Sequence, residues 1–142
     1  MTSLVINRDG STDLPGELRH IMCVDDEGDI LEVARMCLEI VGGFRVTCSG
    51  GGRAALADAA RDPPDLILLD VMMPEMNGME TVRLMRAIPK LRSIPVIFMT
   101  ARVQRPEIAS YLKSGAAGFI AKPFEPMALA GQVRAIWAAG RG

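Results

Sequence analysis

The sequence predicts an α/β fold: a doubly wound, five-stranded parallel sheet in the order 2-1-3-4-5, with helices on both faces. Two observations predict it. Short apolar runs alternate with stretches whose apolar residues recur at helical spacing, the mark of a parallel sheet wrapped by helices. The central apolar runs are continuous rather than alternating, as expected where both faces of a strand are covered. Right-handed crossovers and one reversal of strand order then give this topology for a chain of 142 residues.

Each element follows in turn. Residues 1–16 are polar, with Gly10, Pro15 and Gly16, and are expected to form a flexible tail before one domain at 17–142. RHIMCV (19–24) is the first strand. In 28–41, Ile30, Val33, Ala34, Cys37, Leu38 and Val41 mark one helical face, which stops at Gly42-Gly43. FRVTC (44–48) is strand-like. GRAALADAARD (52–62) is an Ala-rich helix closed by Pro63-Pro64. DLILLD (65–70) is a strand, GMETVRLMRAI (78–88) a helix, and IPVIFMT (94–100) a strand. PEIASYLKSG (106–115) is a helix ending on glycine, GFIA (118–121) a short strand, and 126–139 a last helix with Leu129, Val133 and Ile136 facing inward.

Composition narrows the function. A net charge of −1 offers no bulk footprint for nucleic acid or an anionic membrane, so neither is an expected partner. No apolar run approaches the roughly 20 residues of a membrane span, and the N-terminus has no signal-peptide pattern. Cys23, Cys37 and Cys48 lack metal-ligand spacing and are odd in number, which fits reduced thiols in the cytoplasm. SGGGR (49–53) lacks the ending of a phosphate loop and reads as a turn and helix start.

In such a sheet, ligands bind beyond the carboxyl ends of the strands, at the switch point. The first strand delivers Asp25 and Asp26 there, the third Asp70, the fourth Thr100, and the fifth is followed by Lys122. Three converging carboxylates repel, and a divalent cation relieves that repulsion. All-oxygen ligands select a hard ion, Mg²⁺ first, with Mn²⁺ or Ca²⁺ as substitutes. Mg²⁺ commonly adds phosphate oxygens to one or two carboxylates, so an anionic substrate is expected too. Lys122, the Thr100 hydroxyl and the Ala101 backbone N–H can cradle a phosphoryl group. A carboxylate can serve as the nucleophile and become an aspartyl phosphate. His20, the one histidine, begins the first strand at the opposite end, so no histidine-based triad is available.

These residues closely resemble the response-regulator receiver domain of two-component signalling, including the single-domain chemotaxis regulator, from about Arg19 to Ala139. VDDE (24–27), LLDVMMPEMNG (68–78), MTA (99–101) and KPF (122–124) carry the resemblance, in order and at the right strand ends. It implies a flavodoxin-like fold and a phosphoacceptor at Asp70. It implies Mg²⁺ on Asp26, Asp70 and the Met72 carbonyl, with Asp25 acting through a water. Lys122 would pair with the phosphate, Thr100 would turn inward to it, and Phe119 would follow Thr100. The Lys122-Pro123 bond would be cis. Phosphorylation would be read on the face of the fourth helix, fifth strand and fifth helix, here Tyr111, Lys113, Phe119, Gln132 and Trp137. The donor would be a sensor histidine kinase or a histidine phosphotransfer protein, with the downstream target unread. The protein would modify itself and would not be a turnover enzyme.

Some positions depart from the pattern. Met72 and Arg102 occupy the two positions that tune dephosphorylation, and their bulk predicts slow loss of the phosphoryl group. Met72 also weakens a chemotactic reading, since an amide stands there in the chemotaxis regulator. Asn77 replaces a commoner Asp. The fifth-strand segment lacks the acids of receivers that dimerise through the fourth and fifth helices, so a monomer is expected. The same chain could be a fragment of a larger regulator or hybrid histidine kinase, or a degenerate receiver that binds partners unphosphorylated. A haloacid-dehalogenase-type phosphatase wants D-x-D after the first strand, where this chain has Asp25-Asp26. A flavodoxin-like FMN binder wants hydroxyls there, not acids.

Overall fold

In a computed structural model, residues 5–6, 12–13 and 17–141 are described. Five parallel strands form the sheet: β1 His20–Val24, β2 Arg45–Ser49, β3 Leu66–Asp70, β4 Val96–Thr100 and β5 Gly118–Ala121. Their order is β2-β1-β3-β4-β5, the order expected from the sequence. Between and after them run α1 Gly28–Ile40, α2 Gly52–Arg61, α3 Gly78–Ala87, α4 Arg105–Lys113 and α5 Leu129–Arg141. Most of the expected N-terminal tail lies outside the described residues; within it, Val5–Ile6 pairs antiparallel with Thr12–Asp13.

β1, β3 and β4 are buried at every position, which is why their sequences are continuously apolar. The edge strands β2 and β5 are only partly buried. Successive side chains point to opposite faces, so the strands supply two cores. Met22, Ile67, Leu69 and Phe98 pack with Ala59, Val82 and Met85 on the α2–α3 side. Ile21, Leu66, Leu68 and Ile97 pack with Leu38, Leu129 and Val133 on the α1–α5 side. Burying each such Leu or Ile contributes roughly 1.5–3 kcal/mol, and two covered faces hold the strand ends in register.

Boundaries shift by a residue or two. β2 begins at Arg45 and takes in Ser49. α4 begins at Arg105, with Pro106 in its first turn, where proline's missing N–H costs nothing. The expected last helix opens with a 3₁₀ turn, Pro126–Ala128, before α5. Trp137 packs at the edge of the α1–α5 core, beside Ile136.

His20 begins β1 as predicted, but it is not a bystander. It is 5% exposed. Arg45 reaches its Nδ1 at 3.0 Å; a guanidinium only donates, so Nε2–H is left to donate to Thr47 Oγ1 at 3.1 Å. Burial first, and the Arg45 charge second, lower the imidazole pKa below its ordinary value. The unfolded chain therefore binds the proton more readily. His20 contributes full stability above the ordinary histidine pKa of about 6.5, and loses it as pH falls toward the folded value. Denaturant titration at pH 7.5 and 5.5 is expected to show wild type losing stability relative to His20→Asn at the lower pH. An unchanged difference between the two proteins would refute this.

Candidate functional site

Four strand ends meet at one edge of the sheet. Asp25 follows β1, Asp70 ends β3, Thr100 ends β4 and Lys122 follows β5. Backbone bonds fix the chain as it leaves the strands: Asp25 N–H donates to the Ser49 carbonyl (3.2 Å), Val71 N–H to Met99 (3.2 Å) and Lys122 N–H to Thr100 (2.8 Å). The loop after β3 folds tightly back. Gly78 N–H donates to the Val71 carbonyl at 2.9 Å, and a Cβ on Gly78 would stand 2.5 Å from the Asp70 carbonyl oxygen, so only glycine fits. Asn77 caps α3, its side chain accepting from Glu80 N–H at 2.9 Å.

Asp25, Asp26 and Asp70 each place a carboxylate oxygen within 4.8 Å of the others. Asp25 and Asp70 are each 3% exposed, whereas Asp26 faces solvent. The Lys122 ammonium lies 2.8 Å from Asp25 Oδ2 and 3.4 Å from Asp70 Oδ1. Asp25 Oδ1 accepts from Glu27 N–H (2.9 Å) and Asp70 Oδ1 from Met72 N–H (3.3 Å). Burial first, then the Asp25 charge, push the Asp70 pKa up to about 6 against the pull of Lys122. Burial pulls the Lys122 ammonium down, but the Asp25 hydrogen bond and the two carboxylate charges outweigh it and its pKa is raised. One cation thus serves two buried acids, while a third, open to solvent, has its oxygen within reach. That donor set is all oxygen and suits a hard divalent ion such as Mg²⁺.

A cavity of about 550 Å³ opens on this cluster, and Asp70, Met72, Ala101 and Lys122 line it. Met72 is 56% exposed beside Asp70. The Lys122-Pro123 bond is cis. Arg102 is exposed and touches the site through its backbone, donating from N–H to Thr100 Oγ1 at 2.9 Å. Phe119 is half-buried against the α2–α3 core.

Glu27 holds the N-cap position of α1 with no side-chain bond of its own, and Asp25 accepts its N–H. One expectation needs correction. Tyr111, expected on the exposed face, is 3% exposed. Its ring packs on Phe98, with centroids 5.4 Å apart, and its hydroxyl lies 3.1 Å from Thr100 Oγ1. The pair was not legible because a tyrosine in a helix of weak apolar pattern reads equally well as surface. Lys113 and Gln132 are exposed as expected.

Residues 21–134 match the family model described as the response regulator receiver domain. The chain is 36% identical over 117 residues to the DNA-binding response regulator MtrA of Mycobacterium tuberculosis, covering 82% of this chain and 50% of that protein. It is 41% identical over 119 residues to the response regulator PleD of Caulobacter vibrioides, covering 82% of this chain and 26% of PleD. The chain thus spans half or less of these relatives. Among solved structures, chemotaxis response regulator CheY4 of Vibrio cholerae superposes with a TM-score of 0.78 at 28% identity, covering 84% of this chain and 99% of CheY4. The signal receiver domain of a signal transduction histidine kinase from Syntrophus aciditrophicus superposes with a TM-score of 0.74 at 33% identity, covering 85% of this chain and 91% of that one.

Proposed function

The chain belongs to the response regulator receiver domain family, and from that premise we propose that it is a phosphorylation-driven switch with Asp70 as the acceptor. The observation that carries this is the convergence of three carboxylates and one ammonium at the sheet edge. The donor is phosphohistidine on a sensor histidine kinase or a histidine phosphotransfer protein. An Asp70 carboxylate oxygen attacks phosphorus. The O–P bond forms as the donor's P–N bond breaks, and the departing imidazole keeps the electron pair and gains a solvent proton. Asp26, Asp70 and the Met72 carbonyl would hold Mg²⁺, with Asp25 acting through a water, and the ion would supply charge neutralisation to the phosphoryl oxygens. Lys122 shifts from Asp70 to a phosphoryl oxygen, and Ala101 N–H and Thr100 take the others. The domain modifies only itself, acts in the cytoplasm as a monomer, and signals by binding a protein target or relaying the phosphoryl group.

Two settings for the domain remain. Receivers of this size include CheY4, 99% of which the chain covers, and the chain also matches parts of the longer regulators MtrA and PleD. The phosphatase reading is weaker, because the acids after β1 are adjacent and the best-placed nucleophile lies on β3.

The test is incubation with Mg²⁺ and acetyl phosphate, or with a panel of phosphorylated kinases. An acid-stable, base-labile phosphoryl group is expected on wild type and not on Asp70→Ala. Uptake by Asp70→Ala at the wild-type rate would overturn the proposal, and turnover of small phosphate esters would restore the phosphatase. The phosphoryl lifetime is expected to be long, because the Met72 side chain stands in the wall beside Asp70, where water must approach. Met72→Asn should shorten it several-fold; a wild-type lifetime of seconds or less would refute the shielding role.

A further inference from the structure

Thr100, Tyr111 and Arg102 form a closed ring of hydrogen bonds, and its protons can be assigned without ambiguity. Tyr111 O–H donates to the Arg102 carbonyl at 2.8 Å. Its single proton is then used, so across the 3.1 Å contact the Thr100 hydroxyl must be the donor. Arg102 N–H in turn donates to Thr100 Oγ1 at 2.9 Å. Thr100 is 1% exposed and Tyr111 3%, so water does not compete. Thr100 follows Met99, the register partner of Asp70, so this ring is one residue from the acceptor's own strand pairing.

We infer that Tyr111 is a positioning residue of the switch, a latch whose hydroxyl holds the only proton the Thr100 side chain can donate. Resting on the proposed phosphoacceptor role of Asp70, this deepens it. Thr100 cannot donate to a phosphoryl oxygen while it donates to Tyr111. Turning inward leaves the buried Tyr111 oxygen without a donor, and that cost biases the population toward the unphosphorylated arrangement. Phe119, on the neighbouring strand, has no hydroxyl and cannot serve in its place. Tyr111 lies on α4 next to Leu112, which is 53% exposed, so release of the latch is felt on an accessible helix.

Tyr111→Phe keeps the aromatic packing on Phe98 and removes the hydroxyl that forms the latch. Calorimetric titration with beryllofluoride, a phosphoryl mimic, at saturating Mg²⁺ reads the effect. Tyr111→Phe is expected to bind about threefold to tenfold tighter than wild type, with Mg²⁺ affinity unchanged. Thr100→Val and the double variant should then differ by less than about twofold, because the threonine through which Tyr111 acts is gone. Equal binding by Tyr111→Phe and wild type, or the same gain in the Thr100→Val background, would overturn the latch while leaving Asp70 as acceptor. A wild type that binds no beryllofluoride would overturn both.

Discussion

Lys122→Met is expected to destabilise the ion-free protein by roughly 2–4 kcal/mol, because it leaves two buried carboxylates without their cation. The side chain of Lys122 is 13% exposed and those of Asp25 and Asp70 are each 4% exposed, so solvent screens the cluster poorly. The sign follows from linkage. A lysine whose folded pKa is raised contributes stability below its unfolded pKa and loses it only as pH rises through the folded value. At neutral pH the contribution is fully present. Adding Mg²⁺ should recover more stability in Lys122→Met than in wild type, since the ion neutralises the same oxygens. Denaturant midpoints with and without Mg²⁺ check this; an ion-free variant as stable as wild type would contradict it.

Asp70→Asn should act in the opposite direction. The Asp70 carboxyl is raised from 3.8 to about 6 by burial and by Asp25, so its ionised form is disfavoured in the folded state. At pH 7 the amide should stabilise the ion-free protein by about 1–3 kcal/mol. An acid with a raised folded pKa costs stability as pH rises from the unfolded value to the folded one. The gain should therefore be full above pH 6 and vanish below about 4. Lys122 keeps its 2.8 Å partner in Asp25, so the substitution strands no charge. Mg²⁺ should reverse the ranking, stabilising wild type more than Asp70→Asn. A destabilised Asp70→Asn in chelator would refute the picture of a strained acid held ready for an ion.

The paired effects explain why the site could be read from the sequence at all. Lys122 and Asp25 are 97 residues apart, yet both sit at strand ends, and a parallel sheet brings all its carboxyl ends to one edge. Once the continuous apolar runs gave the strands, the polar residues at their ends fell into place. Contacts that depend on side-chain packing across elements were not legible. His20 finds Thr47 and Arg45 on the neighbouring strand, and nothing in its local sequence announces them. Tyr111 and Leu112 are adjacent on α4, and either could have faced inward. The Phe98 ring and the Thr100 hydroxyl decide for Tyr111 and leave Leu112 exposed. The start of α1 illustrates a competition of roles. Glu27 takes the N-cap position of α1, while Asp25 is drawn to Lys122 and spends its second oxygen on Glu27 N–H.

The most direct measurement is chemical trapping of the acceptor. Protein treated with acetyl phosphate and Mg²⁺ is reduced with borohydride, which converts an aspartyl phosphate to homoserine, and the position is mapped by peptide mass spectrometry. Homoserine is predicted at position 70, dependent on Mg²⁺ and abolished by chelator. Homoserine at position 25 or 26, or no conversion at position 70 in wild type with Mg²⁺ present, would contradict it.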